Sequence, residues 1–76
     1  MERTMNADAE LTERERILVD FIRTFMEKNG YAPSYAEISE ATGTYRSTIN
    51  RHLGRLRTKK VLTWQKGFAR TLRFLD

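Results

Sequence analysis

Apolar residues recur every three or four positions between residues 17 and 26, as on one face of an amphipathic helix. Thr12 precedes this segment and Glu15 stands three residues later, which is the sequence of a capping box. Gly30 supplies the left-handed residue with which helices commonly end. These signals predict a first helix with an apolar stripe made of Ile17, Leu18, Phe21, Ile22, Phe25 and Met26.

Two further helices are predicted before residue 60. Ser34 and Glu37 form a second capping box, which opens a helix of about two turns that ends at Gly43. We expect this helix to bury Ile38 and Ala41, and the turn after it to place Tyr45 between the helices. The third helix is predicted over residues 46–60, with an apolar stripe made of Ile49, Leu53 and Leu56.

After Lys60 the apolar period changes from helical to alternating, which is typical of strands. Residues 61–65 and 70–75 are predicted to pair as a hairpin, and the loop between them contains Gly67. Because two strands alone are unstable in water, we expect the hairpin to pack on the helices through Leu62, Trp64, Leu72 and Phe74. The predicted fold class is α+β, mainly α, in the element order of a three-helix winged helix-turn-helix whose wing is a C-terminal β-hairpin.

Charge divides the chain into two unlike parts. Residues 1–45 carry five Lys and Arg against nine Asp and Glu, whereas residues 46–75 carry nine Lys and Arg and no acid. A solvated basic surface would show such a run, but thirty residues without an interspersed acid present a one-sided field to a polyanion. This distribution favours a nucleic acid as the partner.

The composition excludes several other classes of protein. A chain of 76 residues without cysteine makes one compact domain, with neither a disulfide framework nor a cysteine-based zinc site. His52 has no second histidine or carboxylate on its helix, so we expect it to be partly buried and hydrogen-bonded. We expect no metal site, no cofactor and no enzymatic activity. Residues 1–10 are predicted to be a disordered tail before a domain at 11–76. With no membrane span, no signal peptide and no evident small-molecule ligand, we expect a cytoplasmic, nucleoid-associated protein.

The polar face of the third helix is the candidate binding surface. At 100° per residue, Ser47 and Arg51 fall among the positions furthest from the apolar stripe, with Thr48 on one shoulder and Asn50 on the other. These side chains carry hydrogen-bonding groups and no negative charge. Arg51 suits the O6/N7 edge of guanine or a phosphate, Asn50 suits adenine, and Ser47 suits either DNA or a cap of its own helix.

The sequence resembles the LexA-type family of winged helix-turn-helix DNA-binding domains, from repressors of the bacterial SOS response. The resemblance covers residues 11–75 and rests on four segments, of which the first is Leu11-Thr12 before the first helix. Residues 30–38 are similar to the family's G-x-x-P-S/T-x-x-E-I, residues 47–56 to its third helix, and residues 69–75 to its wing-return strand. The family continues into a self-cleaving peptidase domain, which this sequence does not contain.

The resemblance implies base contacts by Ser47, Thr48, Asn50 and Arg51. Contacts with the DNA backbone fix the position of the protein without carrying sequence information. We assign them to cations and exposed amides at the start of the second helix, along the third helix and in the wing. The start of the second helix either binds phosphate or is simply capped by its own side chains. The backbone-contacting set is Ser34, Tyr35, Arg46, Arg55, Lys59, Lys60, Lys66, Gly67 and Arg70.

The resulting hypothesis is a sequence-specific, duplex-DNA-binding transcriptional repressor of bacterial or phage type. Helix 46–60 would enter the major groove and residues 66–70 of the wing would lie on the backbone. A paired site would be shared with a second copy or a protein partner. Two alternatives remain: a winged helix that binds proteins, as an antirepressor does, and a DNA-binding domain excised from a longer self-cleaving repressor.

Overall fold

The computed structural model describes residues 11–75 as three helices followed by a two-stranded antiparallel sheet. Helix α1 spans Glu13–Asn29, α2 spans Tyr35–Thr42 and α3 spans Arg46–Thr58; the strands are β1, Leu62–Thr63, and β2, Arg73–Phe74. This order confirms the predicted winged helix-turn-helix architecture. The tail predicted at residues 1–10 lies outside the described residues.

Local sequence signals set the helix boundaries. The Thr12 hydroxyl accepts from the Glu15 amide at 3.1 Å, and the Glu15 carboxylate accepts from the Thr12 amide at 3.0 Å. Ser34 and Glu37 repeat this exchange at the start of α2, with distances of 3.1 and 2.8 Å. Gly30 follows α1 in the left-handed conformation, at φ 81°. Both predicted capping boxes are therefore confirmed, and each removes orphan amides from a helix end.

The core lies where the three helices meet the wing. Its fully buried members come from every helix and from β1: Ile22, Ile38, Ile49, Leu53, Leu56 and Leu62. Burial of each such side chain is worth about 1.5–3 kcal/mol. From the wing, Leu72 is also buried, while Trp64 and Phe74 pack against the edge of the core. The apolar stripe of α3 is thus covered by protein, which leaves only its polar face to solvent.

Three predicted core positions are wrong. Tyr45 is 82% exposed, Ile17 is 51% exposed and Ala41 lies at the surface. Ile38 of α2 and Ile49 of α3 are completely buried in the same core cluster. Because protein interiors are close-packed, no room is left there for a tyrosine ring.

The strands are shorter than the predicted segments 61–65 and 70–75. Leu62 pairs with Phe74 and Thr63 with Arg73, but on the side toward the wing loop, side chains bind the next backbone groups. Arg57 donates to the Trp64 carbonyl at 2.7 Å, and the Gln65 amide donates to the Thr71 hydroxyl at 2.8 Å. Since these groups have found other partners, the ladder ends there and the wing continues as a hydrogen-bonded loop.

Candidate nucleic-acid interface

The exposed start of α3 presents most of the residues predicted to contact bases. Ser47, Asn50 and Arg51 are exposed and Thr48 is half-buried, as the helical periodicity predicts. The N-cap is Tyr45, whose side chain makes no capping hydrogen bond, and the first turn contains no acid. Ser47 lies inside the helix and does not cap it. The first turn of α3 therefore offers donors, hydroxyls and positive charge.

A cleft of about 420 Å³ separates the start of α3 from the wing. One wall is the start of α2, a second is the first half of α3, and the third is the wing loop. Aromatic side chains of Trp64 and Phe68 line it together with polar groups. Six of the predicted DNA-contacting residues meet in this cleft: Ser34, Tyr35, Arg46, Asn50, Lys66 and Gly67.

The two helices are joined across the cleft by one long hydrogen bond. The Tyr35 hydroxyl donates to Asn50 Oδ1 at 3.4 Å. Burial raises the pKa of Tyr35, while the charge of Arg57 opposes this change, so the hydroxyl stays protonated at neutral pH. The bond orients the Asn50 amide so that its nitrogen, a donor, remains available.

The remaining predicted backbone contacts fall into two groups. Arg55 and Lys60 are exposed cations outside the cleft, and Lys60 adopts a left-handed backbone with φ 64°. Lys59 and Arg70 instead form ion pairs with acidic residues, Lys59 with Glu15 at 2.7 Å and Arg70 with Glu37 at 2.8 Å. The structure does not bring these two charges to the cleft as open cations.

His52 is buried, with 8% of its surface exposed, and its Nδ1 lacks a hydrogen-bond partner. The expectation of a fully hydrogen-bonded histidine is therefore wrong for this atom. Burial, followed by the charge of Arg51, lowers the pKa of His52, which keeps the ring neutral at pH 7. Within residues 11–75, no three His, Cys, Asp or Glu side chains are grouped so as to hold a metal ion.

Three residues at this surface were not predicted to contribute to it. Tyr45 and Phe68 expose large rings, 82% and 63%, beside the α3 start and at the wing tip. Arg57 stacks its guanidinium 4.3 Å from the centre of the Trp64 ring and so supports one wall of the cleft. For Phe68 a signal was present, because an aromatic residue inside a short hairpin loop has no neighbouring strand to cover it.

These features define the class of the protein: a winged helix-turn-helix domain with a basic, exposed third helix and a basic wing. The model of the LexA DNA binding domain family matches residues 8–71. The chain therefore belongs to the LexA DNA-binding domain family. No helix among residues 11–75 has the length and apolar character needed to cross a membrane.

Similar proteins include several that are named LexA repressor. That of Koribacter versatilis is 36% identical over 66 residues, which cover 86% of this chain and 31% of the relative. That of Mycobacterium tuberculosis strain ATCC 25177 is 41% identical over 61 residues, covering 79% and 26%. That of Staphylococcus carnosus is 43% identical over 51 residues, covering 66% and 25%. The chain spans less than a third of the length of these relatives.

Proposed function

We propose that this protein is a transcriptional repressor that binds duplex DNA with sequence specificity. The cleft carries the proposal, because it joins the starts of two helices and the wing and is lined by Arg46 and Lys66 without any acid. Membership in a family of DNA-binding domains supports the same conclusion. The protein would act by binding at the nucleoid in the cytoplasm, and not by catalysis.

The first half of α3 would enter the major groove. There Arg51 would donate both arms of its guanidinium to the O6 and N7 atoms of a guanine, and Asn50 would pair with an adenine. The Thr48 methyl group would meet the methyl group of a thymine, and Ser47 would donate to a base edge. Each good bidentate contact discriminates by about 1–3 kcal/mol against the wrong base.

Phosphates would be held at two sides of the cleft and along the rest of α3. At the start of α2 the Tyr35 amide and the Ser34 hydroxyl would donate to a phosphate, since the Ser34 amide already donates to Glu37, and the helix dipole favours negative charge there. Lys66 and Gly67 would approach the backbone from the wing, where φ 86° at Gly67 bends the loop. Further cations for phosphate are Arg46, Arg55 and Lys60.

Selection of bound duplexes from a random pool tests the proposal directly. We expect one enriched sequence, and a palindrome would indicate that two copies share the site, since a single small module buries only about 600–1,000 Å². If the folded protein shifts no duplex at moderate salt, the proposal is wrong and a protein-binding role replaces it.

Two substitutions separate the contacts with bases from those with phosphates. Arg51→Ala should relax the preference at one base position, with a loss of about 1–3 kcal/mol on the selected site only. Lys60→Ala should weaken binding to all duplexes alike and lower the salt slope by about 1. The measurement is the affinity of each variant for the selected duplex and for single-base variants of it. Identical profiles for the two variants would contradict the division of roles.

Salt dependence gives an independent test of the electrostatic part. If five or six phosphates are neutralised, log K should fall by roughly 5 for a tenfold rise in salt concentration. A binding titration across a salt series measures this slope. A flat response would show that the basic surface does not bind the DNA backbone.

A further inference from the structure

Arg70 makes more directed contacts than any other described cation of the wing. Its Nη1 donates to Glu37 Oε1 at 2.8 Å and to the Ala32 carbonyl at 3.1 Å, and its Nη2 donates to Glu37 Oε2 at 3.0 Å. The guanidinium also lies 5.0 Å from the centre of the Tyr31 ring. Both hydrogens of Nη1 are therefore used within the protein, in the bidentate geometry that arginine alone provides.

The partner of Arg70 is itself fixed in place. Glu37 Oε1 accepts from the Ser34 amide at 2.8 Å, and the Glu37 amide donates to the Ser34 hydroxyl at 3.1 Å. This capping box is the start of α2 and one wall of the cleft. Arg70 thus ties the wing to the opposite wall of the cleft through a carboxylate that cannot move independently of α2.

The backbone conformation of the wing loop supports the contact between Arg70 and Glu37. Arg70 adopts φ 59°, a left-handed conformation that is costly for a residue with a side chain and persists only where its surroundings enforce it. The next residue, Thr71, binds the loop across its base, because its hydroxyl accepts from the Gln65 amide at 2.8 Å and lies 3.0 Å from the Phe68 carbonyl. The wing tip is consequently a closed loop whose orientation depends on the Arg70 contact.

We infer that Arg70 is a positioning residue, which holds the wing at the distance from α2 and α3 that a DNA backbone requires, and not a phosphate-binding anchor. The inference rests on the proposed DNA-binding function. Glu37 and Ala32 use three of the five guanidinium N–H groups, and a phosphate bound by the remaining two would lie beside the Glu37 carboxylate, which would repel it. By keeping the pair closed, the protein enters the complex with its wing already ordered.

Arg70→Lys distinguishes positioning from anchoring. Lysine keeps the charge and binds phosphate well, but it lacks the planar fork that Glu37 and Ala32 require. If Arg70 positions the wing, this variant should bind the selected duplex about 3- to 10-fold more weakly, the usual cost of ordering a loop or side chain on binding, with the salt slope unchanged. Wild-type affinity would overturn the inference. The matched control is Arg73→Lys, the same substitution at an exposed position of β2 to which no DNA contact is assigned, and it should leave affinity unchanged.

The mobility of the wing in the free protein tests, without DNA, whether Arg70 positions the wing. Arg70→Lys and Glu37→Gln should both lower the NMR order parameters of the amides of residues 65–69 from about 0.85 toward about 0.6, whereas Arg73→Lys should not. Glutamine retains the capping box, so Glu37→Gln leaves α2 intact and serves as the second variant if Arg70→Lys does not fold. A wing that stays rigid in the variants refutes the inference. If the wild type binds no duplex, the proposed function fails, but this measurement still reports on the wing.

Discussion

Two glutamates occupy the same position in their helices and differ in their surroundings. Glu15 in α1 and Glu37 in α2 both accept a hydrogen bond from the amide of the N-cap residue, and both also bind a cation from the basic half of the chain. The side chain of Glu15 is completely buried, whereas that of Glu37 is 37% exposed. Glu15 pairs with Lys59, which follows α3, and Glu37 pairs with Arg70 in the wing.

Because Glu15 is buried and Glu37 is partly exposed, their two ion pairs have different roles. A buried carboxylate that loses its partner keeps the cost of desolvation, so the pair between Glu15 and Lys59 matters for the stability of the three-helix body. An exposed pair is screened by water and contributes little to stability. The pair between Glu37 and Arg70 therefore contributes geometry, because its bidentate form fixes the direction of the wing.

Replacement of Glu15 should have the largest effect. Glu15→Ala removes the capping box and the ion pair and leaves a cavity, so we expect a loss of about 2–3 kcal/mol in the free energy of unfolding. For a domain of this size the melting midpoint should fall by about 10–20 °C. Thermal melts followed by circular dichroism measure it.

Glu13→Ala is the matched control for this experiment. Glu13 lies in the same first turn but is exposed, so its removal should cost less than about 1 kcal/mol, through the helix dipole alone. Equal losses in the two variants would mean that the buried pair contributes nothing of its own.

The two capping boxes show how much of this fold could be predicted from sequence. Each depends on residues three positions apart, and both were predicted correctly. Their cationic partners lie 44 and 33 residues further along the chain. No local pattern specifies such a contact, so Lys59 and Arg70 were assigned to the DNA backbone by charge alone.

The candidate site, like the fold, was predicted from sequence only where it depends on local spacing. Helical periodicity was enough to find the exposed face of α3, because it depends only on the spacing of the apolar stripe. The cleft and the exposure of Tyr45 depend on how α2 and α3 meet, which is decided by the packing of Ile38 and Ile49. Sequence therefore predicted which residues of α3 face outward, but neither the exposure of Tyr45 nor how the walls of the cleft are held together.

The next largest effect should come from acid, which weakens the ion pair between Glu15 and Lys59. Burial raises the pKa of Glu15, but the hydrogen bonds from Lys59 and Thr12 together outweigh it, so the pKa lies below the usual 4.5. A carboxyl with a lower pKa in the folded state contributes stability that is complete above its unfolded pKa and is lost as the pH falls through its folded pKa. Glu15→Gln should therefore be less stable than the wild type at pH 7, and the gap between their free energies of unfolding should narrow below about pH 4.5. A gap that stays constant from pH 7 to pH 3 would contradict this account.

Removal of the exposed pair should have the smallest effect on stability. The hydrogen bonds from Arg70, with that from the Ser34 amide, lower the pKa of Glu37, but the pair is open to solvent on both sides. Glu37→Gln keeps the capping box and should shift the melting midpoint by less than about 3 °C. Ser34→Ala, which removes the N-cap hydroxyl, should cost about 1 kcal/mol and hence more. If Glu37→Gln is the more damaging of the two, the pair stabilises the body as Glu15 does; if it melts like the wild type while its wing becomes mobile, the comparison between the two glutamates holds.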